Sequence, residues 1–167
     1  MKTYRYWLLL VALLSTLAAA AGPKLDAPAP QATIKTLHGK RIDTAALLGN
    51  VVIVTFWATW CQYCKQELSD LSDYYRQHAQ DGLSIIAVST DDADDVAEER
   101  ERAKAYPFPV AMLADVEVSG YGRIWRMPLT FIIDRRGILR RDGWVDTPSV
   151  TRKQLDDIVT PLLREKN

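Results

Sequence analysis

Two cysteines are the chain's whole thiol complement. They stand three positions apart, as Cys61 and Cys64, in the stretch FWATWCQYCKQELSD at residues 56–70. A pair at that spacing can ligate a metal, close a structural loop or exchange electrons with another thiol. As a structural clasp it is poor, because the stabilisation from closing a loop grows with loop length and this loop is minimal. A structural zinc site needs four ligands, and the only histidines, His38 and His78, do not complete one. His78 falls near the far end of the helix that the cysteines begin, and His38 alone leaves the site short. No resident cofactor or metal is expected, although a two-coordinate soft site for Cu(I) stays open.

Redox chemistry fits best. A cysteine in the first turn of a helix meets the positive end of the macrodipole and unpaired N–H groups, and both favour the nucleophilic thiolate. Cys61 holds that position. Cys64 lies about 300° further round the helix and nearer the sheet, which suits an exposed attacker and a shielded thiol that resolves the mixed disulfide. Glu67 follows Cys64 by three residues and shares its helix face. If Cys64 points inward, burial should raise the Glu67 pKa; the alternative is an ordinary surface glutamate.

The elements that must position these residues follow from pattern. Residues 51–58 form an unbroken β-branched and aromatic run, the mark of a strand buried on both faces. Residues 61–80 read as a helix, with Leu68, Leu71 and Tyr75 on one face and Gly82 beyond its end. Residues 83–89 (LSIIAVS) are a second buried strand, and 91–105 a charged helix stopped by Tyr106-Pro107. A short strand at 109–113 and a helical turn at 116–121 come next. Strands at 129–133 and 138–141 are joined by the turn Asp134-Arg135-Arg136-Gly137. A last helix spans 149–164, broken or kinked at Pro161. Ahead of all these, 32–37 and 41–47 flank His38-Gly39 as a hairpin. This order predicts an α/β fold with a mixed central sheet flanked by helices.

At the N-terminus, Lys2 and Arg5 precede an apolar run from Trp7 to Leu17 and a small-residue stretch at 18–22. That is the pattern of a secretory signal peptide over residues 1–21. The alternative is an uncleaved anchor, for which the run is short of the roughly 20 residues needed to span a bilayer. Residues 22–31, with Pro23, Pro28 and Pro30, read as a linker, and 32–167 as one domain. Losing the leader takes two from the 21 basic residues and none from the 21 acidic ones, a net charge near −2. That charge gives no nucleic-acid footprint.

With these residues placed, "FWATWCQYCKQE", "IIAVSTDD" and "MPLTFIIDRRG" together resemble the thioredoxin-like TlpA/ResA group of exported thiol–disulfide oxidoreductases, which includes cytochrome c maturation reductases. The resemblance runs from about residue 32 to 144. It implies a thioredoxin-like fold with an N-terminal hairpin and the charged helix as a central insertion. It implies Cys61 as nucleophile, Cys64 as resolving thiol and Pro128 as a cis-proline facing the disulfide. It also makes Glu67 the acid beneath the site, since the buried aspartate of cytosolic thioredoxins is here Thr55. Trp57 and Trp60 are expected to wall the site, while Trp125 reads equally as core. Trp60, Gln62, Tyr63, Arg126 and Met127 form the expected substrate-binding surface.

Two positions depart from the family pattern. Tyr63 stands where the dipeptide proline is usual, and Arg126 stands where a glycine usually precedes the cis-proline by two. The Arg126 cation is expected either to reach the mouth of the site and stabilise the Cys61 thiolate or to be screened in solvent. The resemblance further implies protein thiol or disulfide clients, a membrane-embedded thiol electron donor, a periplasmic location and a monomer. A reductant is expected, because Gln62-Tyr63 brings no positive charge between the cysteines. A disulfide donor and a Cu(I)-delivery protein are the alternatives, and a thiol peroxidase fits the paired cysteines less well.

Overall fold

The computed structural model describes residues 22–117 and 120–165; the expected leader, residues 1–21, lies outside the described residues. Seven strands form one mixed sheet in the order β2-β1-β5-β4-β3-β6-β7. The hairpin of β1 (Thr33–Thr36) and β2 (Arg41–Asp43) makes one edge. At the centre, β3 (Val51–Trp57) runs parallel to β4 (Leu83–Ser89) and antiparallel to β6 (Leu129–Ile133). The last strand, β7 (Leu139–Arg141), pairs antiparallel with β6.

Every residue of β3 is buried, and alternation along it divides two cores. Val51, Ile53 and Trp57 enter the core under the helices. Val52, Val54 and Phe56 enter the opposite core with Phe131 and Tyr121, whose rings meet edge-on at 4.9–6.2 Å. Because a strand's side chains alternate between faces, Thr55 belongs to the helix side with Ile53 and Trp57.

Helix α1 (Gln62–His78) lies on that side and buries Cys64, Glu67, Leu68, Leu71, Ser72 and Tyr74. This is an amphipathic stripe with one carboxyl in it. The charged helix is real but shorter than expected: α2 is Val96–Ala103, preceded by a 3-10 turn at Ala93–Asp95. It is a helical insertion between β4 and β5, as the sequence implied.

Two expectations change. Residues 110–117 form one strand, β5 (Val110–Glu117), so the helical turn expected at 116–121 does not begin there. Val116 and Glu117 instead pair with Ile34 and Thr33 of β1, a backbone partner that no local pattern announces. The C-terminal helix is not broken at Pro161. It passes from α3 (Arg152–Gln154) through a π turn (Leu155–Val159) into α4 (Thr160–Arg164). The Thr160 N–H reaches back to the Leu155 carbonyl, and this wider turn leaves room for a ring that has no N–H to donate. Residues 22–31 are extended but not free. Asp26 and Ala29 donate to the carbonyls of Leu139 and Gly137, each at 2.9 Å, and so cover the outer edge of β7.

On α2, Glu99 is 1% exposed and one of its oxygens has no partner. Burial first, then the Asp91 charge, push its carboxyl up to about 7; Arg102 opposes them, while Glu98 and Asp95 add to the rise. The folded chain therefore holds a proton that the unfolded chain releases near 4.5. Stability is lost as pH rises from that value through about 7. Urea denaturation at pH 5 and pH 8 should show the wild type less stable at pH 8. Glu99→Gln should shrink the difference, leaving the share of Glu67, another buried acid whose pKa is raised. An equal pH difference in the variant would contradict this assignment.

Candidate active site

β3 ends at Trp57, and four residues later the chain turns into α1 with Cys61 as its N-cap. The turn is fixed from β4. Asp91 accepts from the Thr59 N–H and hydroxyl, each at 3.0 Å, and from the Ser89 hydroxyl at 2.7 Å. Cys61 and Cys64 are joined by a disulfide, and the Cys61 sulfur accepts from the Cys64 N–H at 3.2 Å. Cys61 keeps 7% of its surface and Cys64 none, so Cys61 is the more accessible of the two, though it too is buried. A nucleophile at Cys61 would gain from the helix N-terminus and from that N–H.

Glu67 lies one helical turn below Cys64 and is 2% exposed, so the surface alternative is set aside. One carboxyl oxygen accepts from the Thr55 hydroxyl at 2.8 Å and from the Thr130 hydroxyl. The other accepts from the Val150 N–H at 2.7 Å. Burial raises the Glu67 pKa, against the Thr130, Val150 and Thr55 hydrogen bonds and the Arg141 charge, all of which lower it. The two threonine hydroxyls also stand 2.8 Å apart, so three oxygens form a triangle. An ionised Glu67 leaves two protons for its three edges; a protonated Glu67 supplies the third and closes the ring. Both states are hydrogen-bonded, which is what a buried proton store requires.

No motif marks Thr55 and Thr130 as a pair. Each is the sole hydroxyl in a buried strand, and the register places Thr55 opposite Thr130. That isolated polarity in two apolar runs was the available signal.

The register of β3 and β6 sets Phe56 opposite Leu129, which brings Pro128 beside the strand end that leads to the cysteines. The Met127–Pro128 bond is cis and Pro128 is buried. Met127 is half-buried, its sulfur against the Thr90 hydroxyl. Trp60 and Tyr63 are 71% and 76% exposed, and Gln62 is exposed beside them. Trp57 does not wall the site as expected. It is core, packed edge-on against Tyr106 at 5.8 Å. Trp125 is exposed and stacks on Trp144 at 5.7 Å.

Arg126 is neither free in solvent nor unpaired. Its guanidinium donates to the Gly143 carbonyl and lies 5.4 Å and 5.9 Å from the Trp144 and Trp125 ring centres. Among the described residues, no group of three or more His, Cys, Asp or Glu is placed to hold a metal ion, and no helix is long and apolar enough to cross a membrane.

A mixed sheet with a disulfide at the N-cap of the helix following its central strand, and a cis-proline at the neighbouring strand, define a thioredoxin-like protein. The chain belongs to the AhpC/TSA family, whose sequence model matches residues 25–142. It is 30% identical over 109 residues to the thiol-disulfide oxidoreductase ResA of Bacillus anthracis, covering 65% of this chain and 63% of that relative. The chain thus spans a little under two thirds of that protein's length. With ResA of Bacillus subtilis it shares 28% over 129 residues, 77% of this chain and 70% of the relative. In fold it is similar to a thioredoxin-family thiol:disulfide interchange protein from Chlorobium tepidum, with a TM-score of 0.67 and 23% identity, covering 85% of this chain and 99% of the other.

Proposed function

We propose that this chain is an exported thiol–disulfide oxidoreductase that reduces disulfides in other proteins. The observation that carries the reading is the Cys61–Cys64 disulfide set directly above a buried, threonine-caged Glu67. In the reduced protein, the Cys61 thiolate attacks a client disulfide, forming a mixed disulfide and expelling one client thiolate. Cys64 then gives its proton to Glu67 and attacks the Cys61 sulfur, which releases the second client thiolate. Two electrons have moved to the client, and the chain is left in its disulfide form. A membrane-embedded thiol donor returns the electrons.

The client surface is Trp60, Gln62, Tyr63 and Met127 around the cis-proline. Arg126 contributes through its indole stack rather than as a free cation. The family resemblance suggests apocytochrome c thiols and copper-site cysteines as clients, and the leader pattern at 1–21 suggests periplasmic delivery of a monomer. The direction rests on charge. Gln62 and Tyr63 put no cation beside Cys61, and the Arg126 guanidinium is occupied by Gly143 and two indoles. Equilibration of the Cys61/Cys64 couple with glutathione or dithiothreitol should give a potential of roughly −250 mV or lower, against about −120 mV for a strong disulfide donor. A value near −120 mV would reverse the direction.

A further inference from the structure

Arg141 is 1% exposed and is among the largest fully buried side chains of the molecule. Burying a guanidinium costs several kcal/mol or more unless its donors are met, and an apolar side chain of similar volume is often the more stable choice. Here the donors are largely met by main chain. One terminal nitrogen donates to the Thr130 carbonyl; the other donates to the Thr147 carbonyl and, at 3.5 Å, to that of Ser149. Only the Nε is left without a partner.

These carbonyls are not scattered. Thr130 is the residue whose hydroxyl donates to Glu67, and the 147–149 segment leads directly into Val150, whose N–H donates to the other Glu67 oxygen. The loop leaving β7 is also pressed against the same strand. A Cβ at Gly143 would stand 2.8 Å from both the nitrogen and the oxygen of Thr130, an approach that only glycine permits.

We propose that Arg141 is a positioning residue for Glu67: by clamping the Thr130 peptide and the 147–149 loop, it aims two of the three groups that donate to the buried carboxylate. It does so from within, touching neither cysteine nor client. Its charge acts in the same sense, since Arg141 is the one charged group among those that shift Glu67, whose other influences are burial, Thr55, Thr130 and Val150. Around Arg141 itself stand the carboxylates of Asp146, Glu67 and Asp142 and the guanidinium of Arg126. Loss of the clamp frees the donors and removes the cation, and both changes make Glu67 hold its proton to higher pH.

The proposal gives a mechanism for Glu67's tuning and so rests on the proposed function, but its test does not depend on turnover. The full chain in its disulfide form is labelled with 13C at glutamate side chains, and the Glu67 signal is assigned by its loss in Glu67→Gln. Arg141→Met should raise the Glu67 titration midpoint by about one unit or more, the low end of what a nearby opposite charge supplies. Arg141→Lys, which keeps charge but cannot fork to the three carbonyls, should raise it by less. A role in stability alone would lower the unfolding midpoint and leave the titration unmoved. If both folded variants titrate as the wild type, the proposal is overturned. If Arg141→Met does not fold, Arg141→Lys decides by itself, and an unshifted midpoint there overturns it. Failure of the wild type to reduce any protein disulfide would instead strike the functional reading and leave the titration result standing.

Discussion

Cys61→Ser is expected to abolish disulfide reduction, whereas Cys64→Ser should keep the first attack and accumulate covalent adducts with clients. The asymmetry follows from placement on one helix. Cys61 is the N-cap, retains 7% of its surface and has its sulfur on the Cys64 N–H, while Cys64 is wholly enclosed. A thiolate at the N-cap is stabilised by the unsatisfied N–H groups of the first turn, and it is the form that attacks. A sulfur with no surface cannot meet a client until Cys61 has delivered the mixed disulfide to it. Non-reducing electrophoresis with mass spectrometry of the trapped partners reads the outcome and identifies the client. Equal trapping by the two variants would remove the division of labour, because neither position would then be the obligatory point of entry.

Glu67→Gln should slow resolution of the mixed disulfide by about 100-fold, the lower end of what a positioned general base contributes, with little change in the fold. The amide keeps most of the acid's hydrogen bonds. Its oxygen can accept from the Val150 N–H and its NH2 can donate to the Thr55 and Thr130 hydroxyls, one of which then donates to the other; the remaining threonine proton loses the acceptor it had in Glu67, a cost of about 1–3 kcal/mol. What the amide cannot do is take the proton from Cys64. Since burial raises the Glu67 pKa, the wild-type resolving rate should climb with pH as the carboxyl ionises, and the variant's rate should lack that climb. Stopped-flow decay of a preformed mixed disulfide between pH 5 and 8 separates the two. Indistinguishable profiles would reduce Glu67 to a structural acid.

Much of this site is written in local sequence. A seven-residue buried strand, a cysteine at a helix start and an amphipathic stripe are each encoded within a few residues, because side-chain periodicity and the electrostatics of a helix end are short-range. The spacing of Cys61, Cys64 and Glu67 on one face is equally local, and so the burial of Glu67 could be expected from the inward direction of Cys64. The cis bond at Pro128 came from motif resemblance rather than from any local preference, since trans is the default for X–Pro. Where local signals compete, the sequence was less informative: Trp57 suited a site wall and a core position alike, and strand alternation put it in the core.

Tertiary structure alone decided which groups the functional side chains meet. Glu67 takes hydrogen bonds from residues 12, 63 and 83 positions away, and their identity depends on the register of β3 against β6 and on the loop after β7. Arg126 sits two residues before the cis-proline, yet the approach of Gly143 and Trp144 turns its guanidinium away from a free role at the mouth. β5 extends to Glu117 because β1 offers it backbone partners, and the helix survives Pro161 because a π turn absorbs the ring. Sequence by itself determined the chemistry the chain carries and the elements that carry it. The environment that tunes that chemistry was set by packing, since a buried charge or hydroxyl takes its partner from whichever distant segment the fold brings within hydrogen-bonding reach, and no pattern along the chain specifies that segment.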